Sequence, residues 1–216
     1  MQYYPIFLDL RGRRVVVVGG GKVAERKVRG LVRAQATVRV ISPRLTPRLA
    51  LLAAKKKVAV TARAYRKRDL KRATLVFAAT NDPATQRAVR RDAEVAGAFV
   101  NLADNPRDSS FLVPTSFSQG DLLVAISTSG ASPALARRLR KQLQATVGND
   151  YRAYLRFMRE ARQQVMELIP NQQQRARIFR KLAAGLGADW IRTGKPSQAP
   201  GEVQKLLRKL GIKTRS

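Results

Sequence analysis

Residues 13–41 constrain the fold more than any other stretch of the chain. RRVVVV (13–18) is a β-branched run without polar alternation, the mark of a strand covered on both faces of a parallel sheet. Three glycines (19–21) interrupt it. KVAERKVRGLVRA (22–34) then sets Val23, Lys27, Gly30, Leu31 and Ala34 at helical spacing, with Val28 and Val32 widening the apolar face. TVRVI (37–41) reads as a second strand, stopped by Ser42-Pro43. Strand, glycine turn, helix and strand in about 30 residues make a βαβ unit.

The alternation continues downstream. The pattern predicts a helix over 44–54, a strand over 58–65, a helical turn at 68–72 and a buried strand at 75–79. A helix opened by Pro83 over 83–97 and a strand over 98–104 follow. Such a series predicts an α/β fold with a Rossmann-like, doubly wound parallel sheet. The pattern changes after residue 104. Two antiparallel strands around Gln-Gly-Asp are predicted within 109–129, then a helix over 133–147. Helices over 150–168, 171–184 and 201–210 follow, broken at Pro170, at Gly185-Leu-Gly and at the loop 194–201. The expected domains are therefore 1–108 (dinucleotide-binding), 109–147 (a β/α connecting segment) and 148–216 (small and helical).

Composition excludes several chemistries. The 216 residues include no Cys and no His, so thiol nucleophiles, thiolate metal sites and imidazole bases are absent. Proton transfer must fall to carboxylates, Lys, Tyr or water, and no metal ligands are assigned. The net charge is +29, from 43 Lys+Arg against 14 Asp+Glu, and it is spread over both halves. That surface suits anionic ligands, solubility or nonspecific nucleic-acid binding. No apolar run reaches the roughly 20 residues of a membrane helix, and MQYYPIFLDL lacks the features of a secretory signal. A cytoplasmic protein is expected, with no membrane partner.

Gly19-x-Gly21-x-x-Ala24 closes a strand and opens a helix. In dinucleotide sites the first glycine makes the turn, the second admits the pyrophosphate, and the small third residue lets helix pack on strand. Gly19, Gly20, Gly21, Lys22, Val23 and Ala24 are the candidate cofactor turn; a glycine turn that binds nothing is the alternative. Ser42 and Pro43 end the second strand, where Ser42 could bond a ribose hydroxyl. Arg44 could instead take a 2′-phosphate, or sit in solvent, which leaves NAD and NADP open. Thr80 and Asn81 follow the strand at 75–79 and could contact the adenosine side, whereas Asp82 suits a helix cap. Asp104 stands at the carboxyl edge of the sheet and is the candidate general base; capping the Asn-Pro turn is its structural alternative. Ser127, Thr128, Ser129 and Gly130 lead through Ser132-Pro133, a good helix start, into a helix bearing Arg137, Arg138 and Lys141. Free N–H groups, hydroxyls and these cations could bind carboxylates, or simply be solvated.

With these motifs the sequence resembles the precorrin-2 dehydrogenase/sirohydrochlorin ferrochelatase family, the amino-terminal module of siroheme synthases. The resemblance rests on YPIFLDLRGRRVVVVGGGKVAERK (4–27), FAATND (77–82), VNLADNP (100–106), SSFLVPTSF (109–117) and ISTSGASPALARRLR (126–140), in order over about two-thirds of the chain. It implies NAD as cofactor, a homodimer joined through the central segment, and oxidation of precorrin-2 to sirohydrochlorin. In some relatives ferrous iron is then inserted. It assigns Asp104 to dehydrogenation or chelation, and the substrate it implies, a tetrapyrrole with eight carboxylates, would suit the anion site read at Ser127–Gly130 with Arg137, Arg138 and Lys141. Two departures stand out: a charge beyond what one acidic substrate requires, and the lack of any histidine for chelation. A basic nucleic-acid-binding Rossmann protein and a noncatalytic tetrapyrrole carrier are the competing readings. The chain carries no recognisable nucleic-acid motif, and only 6% of it is aromatic.

Overall fold

The computed structural model describes residues 3–147 and 150–193, with side chains through residue 183. Two compact units divide the chain, Met1–Val113 and Pro114–Ser216.

In the first unit β1 (Arg14–Val18), α1 (Lys22–Arg33), β2 (Thr37–Ile41), α2 (Pro47–Ala54) and β3 (Ala59–Thr61) follow one another. A 3-10 turn at Lys67–Leu70 leads back to β4 (Leu75–Ala78), α3 (Pro83–Val95), β5 (Phe99–Leu102) and a second 3-10 turn at Pro106–Asp108. All five strands are parallel in the order β3-β2-β1-β4-β5. The order reverses between β1 and β4, and in such sheets ligands bind beyond the strand ends at that point.

The unbroken valines of β1 explain its central place. Val15 and Val17 pack with Phe77, Ala24, Val28 and Leu31 on one face of the sheet. Val16 and Val18 pack with Val76, Val89 and Ala93 on the other. Val15, Val16 and Val17 are fully buried, each contributing about 1.5–3 kcal/mol relative to exposure. On α1 the buried residues are Ala24, Val28 and Leu31, while Val23, expected on the inner face, is exposed.

Serines run along the outer side of β5. The Val100 N–H donates to Ser110 Oγ at 2.6 Å, the Ser110 N–H to the Val100 carbonyl at 2.8 Å, and the Leu102 N–H to Ser109 Oγ at 2.9 Å. Phe111 then meets Phe77 edge-on, with centroids 5.4 Å apart. These contacts explain why residues 109–113 fall in the first unit, although the expected boundary lay at 108.

The second unit begins with the antiparallel pair β6 (Thr115–Gln119) and β7 (Leu122–Ile126), turned at Gly120 with φ +60. Helices α4 (Pro133–Val147), α5 (Asp150–Leu168) and α6 (Gln172–Thr193) follow. Tyr154, Phe157, Ala161, Val165 and Ile169 pack with Ile178 and Leu182 of α6. An Arg159–Asp121 ion pair ties α5 to the hairpin turn.

Two expectations need correction. The strand predicted over 58–65 stops at Thr61, because Arg63 turns to bind both carboxylate oxygens of Asp69, at 2.8 and 2.6 Å. The break predicted at Gly185-Leu-Gly is absent, and α6 runs through it. A helical glycine costs about 1 kcal/mol, which good helix formers on either side can offset. The helix predicted over 201–210 lies outside the described residues. No described helix is long and apolar enough to cross a membrane.

Candidate functional site

The carboxyl edge of the parallel sheet gathers the candidate cofactor residues and Asp104. Gly19 leaves β1 with φ +120 and donates its N–H to the Ile41 carbonyl at 2.9 Å. A Cβ there would lie 2.1 Å from the Ala79 carbonyl oxygen, so β1 and the end of β4 approach as only glycine permits. Gly20 is equally confined, since a Cβ would come within 2.0 Å of the Arg44 carbonyl oxygen.

Gly21 differs from both. A Cβ there meets nothing within 4 Å, and the residue is exposed at the start of α1. Its own fold therefore does not require glycine, whereas a phosphate brought against the first N–H groups of α1 would. Lys22 and Val23 are exposed and Ala24 is fully buried against the sheet. Glu25 is the acidic residue of this first turn, but Thr46 donates to it at 2.8 Å and Arg48 lies 3.7 Å away. The helix end thus keeps its positive potential, and these residues fit a pyrophosphate.

At the end of β2, Ser42 is buried and donates its hydroxyl to the Arg44 carbonyl at 2.6 Å, while Pro43 and Arg44 are exposed. Beyond β4, Thr80 is half-buried, and its carbonyl accepts from Gln86 Nε2 at 2.6 Å. Asn81 is exposed. Asp82 caps α3, accepting from the N–H groups of Ala84 and Thr85 at 3.1 and 3.0 Å. Those bonds, with the Thr85 hydroxyl first among them, hold its carboxyl below the usual range.

β5 stays paired with β4 through the Ala103 N–H, which donates to the Ala78 carbonyl at 3.0 Å. Asp104 follows directly. It is exposed, and among the described residues it has no hydrogen bond or ion pair. The turn after it is capped by Asn105, whose Oδ1 accepts from the Asp108 N–H at 3.3 Å.

Sequence reasoning missed Lys27. Its ammonium lies on the inner side of α1, donates to Asn101 Oδ1 at 3.2 Å and sits 5.3 Å from the Phe77 ring centroid. Asn101 in turn donates to the Phe111 carbonyl at 3.0 Å. Burial, with a smaller contribution from Arg26, lowers the Lys27 pKa to about 8. A lysine among the buried positions Ala24, Val28 and Leu31 was the available signal.

The remaining candidates belong to the second unit. Ser132 Oγ accepts from the Leu135 N–H at 3.2 Å, capping α4, and Thr128 Oγ1 accepts from the Ser132 N–H at 3.0 Å. Ser127 Oγ accepts from the Ser129 N–H at 3.1 Å. Ser129 and Gly130 both have positive φ, 53 and 91. For Ser129 that conformation costs about 1 kcal/mol or more. Arg137, Arg138 and Lys141 are exposed on α4 without an ion-pair partner among the described residues.

Comparison with known proteins follows the same division. Residues 6–115 match an NAD(P)-binding family, and residues 119–146 match the central region of sirohaem biosynthesis proteins. The siroheme synthase of Nitrosococcus oceani is 36% identical over 207 residues, covering 96% of this chain and 44% of that protein. That of Nitrosomonas europaea is 34% identical over 208 residues with the same coverage. The chain thus spans less than half the length of these relatives. Among solved structures, the precorrin-2 dehydrogenase SirC superposes with a TM-score of 0.78 at 29% identity, covering 94% of this chain and 100% of that one. The first unit is an NAD-binding Rossmann domain, and the chain belongs to the NAD(P)-binding family found in sirohaem biosynthesis proteins.

Proposed function

We propose that this chain oxidises precorrin-2 to sirohydrochlorin, a step toward siroheme, with Asp104 as the proton acceptor. The observation that carries the reading is the pairing of an open Gly21 turn with an unpartnered carboxylate on the same sheet edge. A bound NAD would supply the hydride acceptor for the substrate. The Gly19–Ala24 turn and the first turn of α1 would hold its pyrophosphate, and Ser42, Pro43, Thr80 and Asn81 at the ends of β2 and β4 would serve its adenosine side. Asp104 takes the proton that the oxidised tetrapyrrole sheds; a free carboxylate can do so, whereas one locked into a cap could not. The segment Ser127–Gly130 and the cations Arg137, Arg138 and Lys141 bind the substrate's carboxylates.

The active form is a homodimer in the cytoplasm. Leu135, Leu139 and Leu143, four residues apart on α4, are 46%, 36% and 42% exposed. Such a row suits a second copy of the same helix better than water.

Absorbance of sirohydrochlorin formed from precorrin-2 and NAD tests the activity. No turnover with either nicotinamide dinucleotide overturns it. Ferrous iron added to the same assay as a second substrate tests metal insertion.

A further inference from the structure

We infer that the dinucleotide site also accepts NADP, with Arg44 as the residue that holds the 2′-phosphate. The inference rests on the reading of Gly19–Ala24 as the pyrophosphate turn. In a sheet of this order the adenosine ribose lies beyond the second strand, where NAD-selective sites place an acidic side chain. That carboxylate accepts from the 2′-hydroxyl and repels a phosphate at the same position.

The end of β2 offers no such acceptor. It reads Ser42-Pro43-Arg44. Ser42 is buried, and its hydroxyl is already committed to the Arg44 carbonyl at 2.6 Å. Glu25, the carboxylate bonded to this loop, is engaged by Thr46 at 2.8 Å, with Arg48 at 3.7 Å, and its side chain is only 14% exposed. The charge left facing solvent from this loop is cationic.

Arg44 also differs from an ordinary surface arginine in how its backbone is fixed. Its carbonyl stands where a Cβ on Gly20 would be, 2.0 Å away, and is gripped by Ser42. Two residues on, the Thr46 N–H donates to the Gly20 carbonyl at 3.0 Å. The loop is therefore stitched to the pyrophosphate turn, and Arg44 cannot drift from it. Its side chain is exposed, with no hydrogen bond or ion pair of its own among the described residues. A guanidinium in that position can grip a phosphate through two parallel N–H donors. A monoester phosphate adds about −1.5 to −2 of charge, which a chain of net charge +29 attracts.

Calorimetric titration of the full chain with NAD and NADP, and with 5′-AMP and 2′,5′-ADP as fragments, tests the assignment. NADP is expected to bind at least as tightly as NAD, and 2′,5′-ADP more tightly than 5′-AMP. Arg44→Gln should weaken NADP and 2′,5′-ADP by about 10- to 100-fold and leave NAD within about twofold. Arg44→Glu should reject NADP altogether and tighten NAD. The melting temperature of each variant should match the parent, since the Arg44 side chain has no partner in the fold. NADP binding tenfold weaker than NAD overturns the inference and leaves the dinucleotide reading standing. Equal losses for both nucleotides in Arg44→Gln overturn it too. If neither nucleotide binds the parent chain, the reading of Gly19–Ala24 fails, and the inference with it.

Discussion

Asn105 holds Asp108 by both its backbone and its side chain, accepting from the N–H at 3.3 Å and donating Nδ2 to the carboxylate at 2.6 Å. Asp108 also pairs with Arg90. The turn after β5 is therefore closed without Asp104, and removing the two neighbours should have opposite consequences. Asp104→Ala is expected to keep its melting temperature and its NAD affinity while turnover falls about 10²–10⁴-fold. Asn105→Ala should instead lose about 1 kcal/mol of stability. Measuring kcat and thermal unfolding on both variants checks the split. Unimpaired turnover in Asp104→Ala would remove that residue from the chemistry.

The glycines of the turn should separate in the same way. Gly19→Ala drives a methyl into the Ala79 carbonyl in a left-handed conformation, and should cost several kcal/mol or prevent folding. Gly21→Asp meets open space at the N-cap of α1, which has no side-chain cap of its own. Its stability should hold or rise by a few tenths of a kcal/mol, and its NAD affinity should disappear because a carboxylate occupies the phosphate position. Chemical denaturation and NAD titration on each variant decide the matter.

Lys27 makes stability depend on alkaline pH. Its pKa falls from 10.5 to about 8 in the folded chain, so between these values the unfolded state binds the extra proton. Stability should therefore rise with pH across that window, by on the order of 2 kcal/mol after allowance for partial exposure. The cost of burying the charge is present in full below pH 8. In Lys27→Met that rise should vanish. Urea unfolding of both chains from pH 7 to 10.5 isolates it, since the other titrating groups are common to both.

The leucine row on α4 gives a fourth prediction. Leu139→Glu should convert a dimer to monomers at micromolar concentration while leaving the helical content unchanged, because the residue is exposed within its own unit. Light scattering reads the mass. A parent chain that is already monomeric would refute the proposed assembly.

Local chemistry made much of this legible in advance. The valine run fixed β1 as a central strand, and β2, α4 and α5 begin and end where Ser42-Pro43, Pro133 and Pro170 indicated. What stayed hidden depended on contacts distant in sequence. Arg63 leaves the β3 direction for Asp69, six residues later, and no local pattern announces that pair. Ser109 and Ser110 looked like the start of a connecting segment; only their bonds to Val100 and Leu102 show that they line the edge of β5. Asp104 was found by position, yet its freedom from the turn became visible only once Asn105 was seen to close it. The helical spacing put Lys27 on the inner face, but its bond to Asn101, far off in the sequence, and the burial that lowers its pKa became visible only in the fold.

The serine seam along β5 has a consequence for how copies of this protein can meet. A parallel sheet invites growth at its two margins, where unpaired peptide groups can recruit a foreign strand. Here one margin is already occupied by Ser109 and Ser110, and the other ends in β3, only three residues long. One margin is thus covered and the other presents only a short template for an added strand. The Rossmann unit is thereby poorly suited to growth through its sheet.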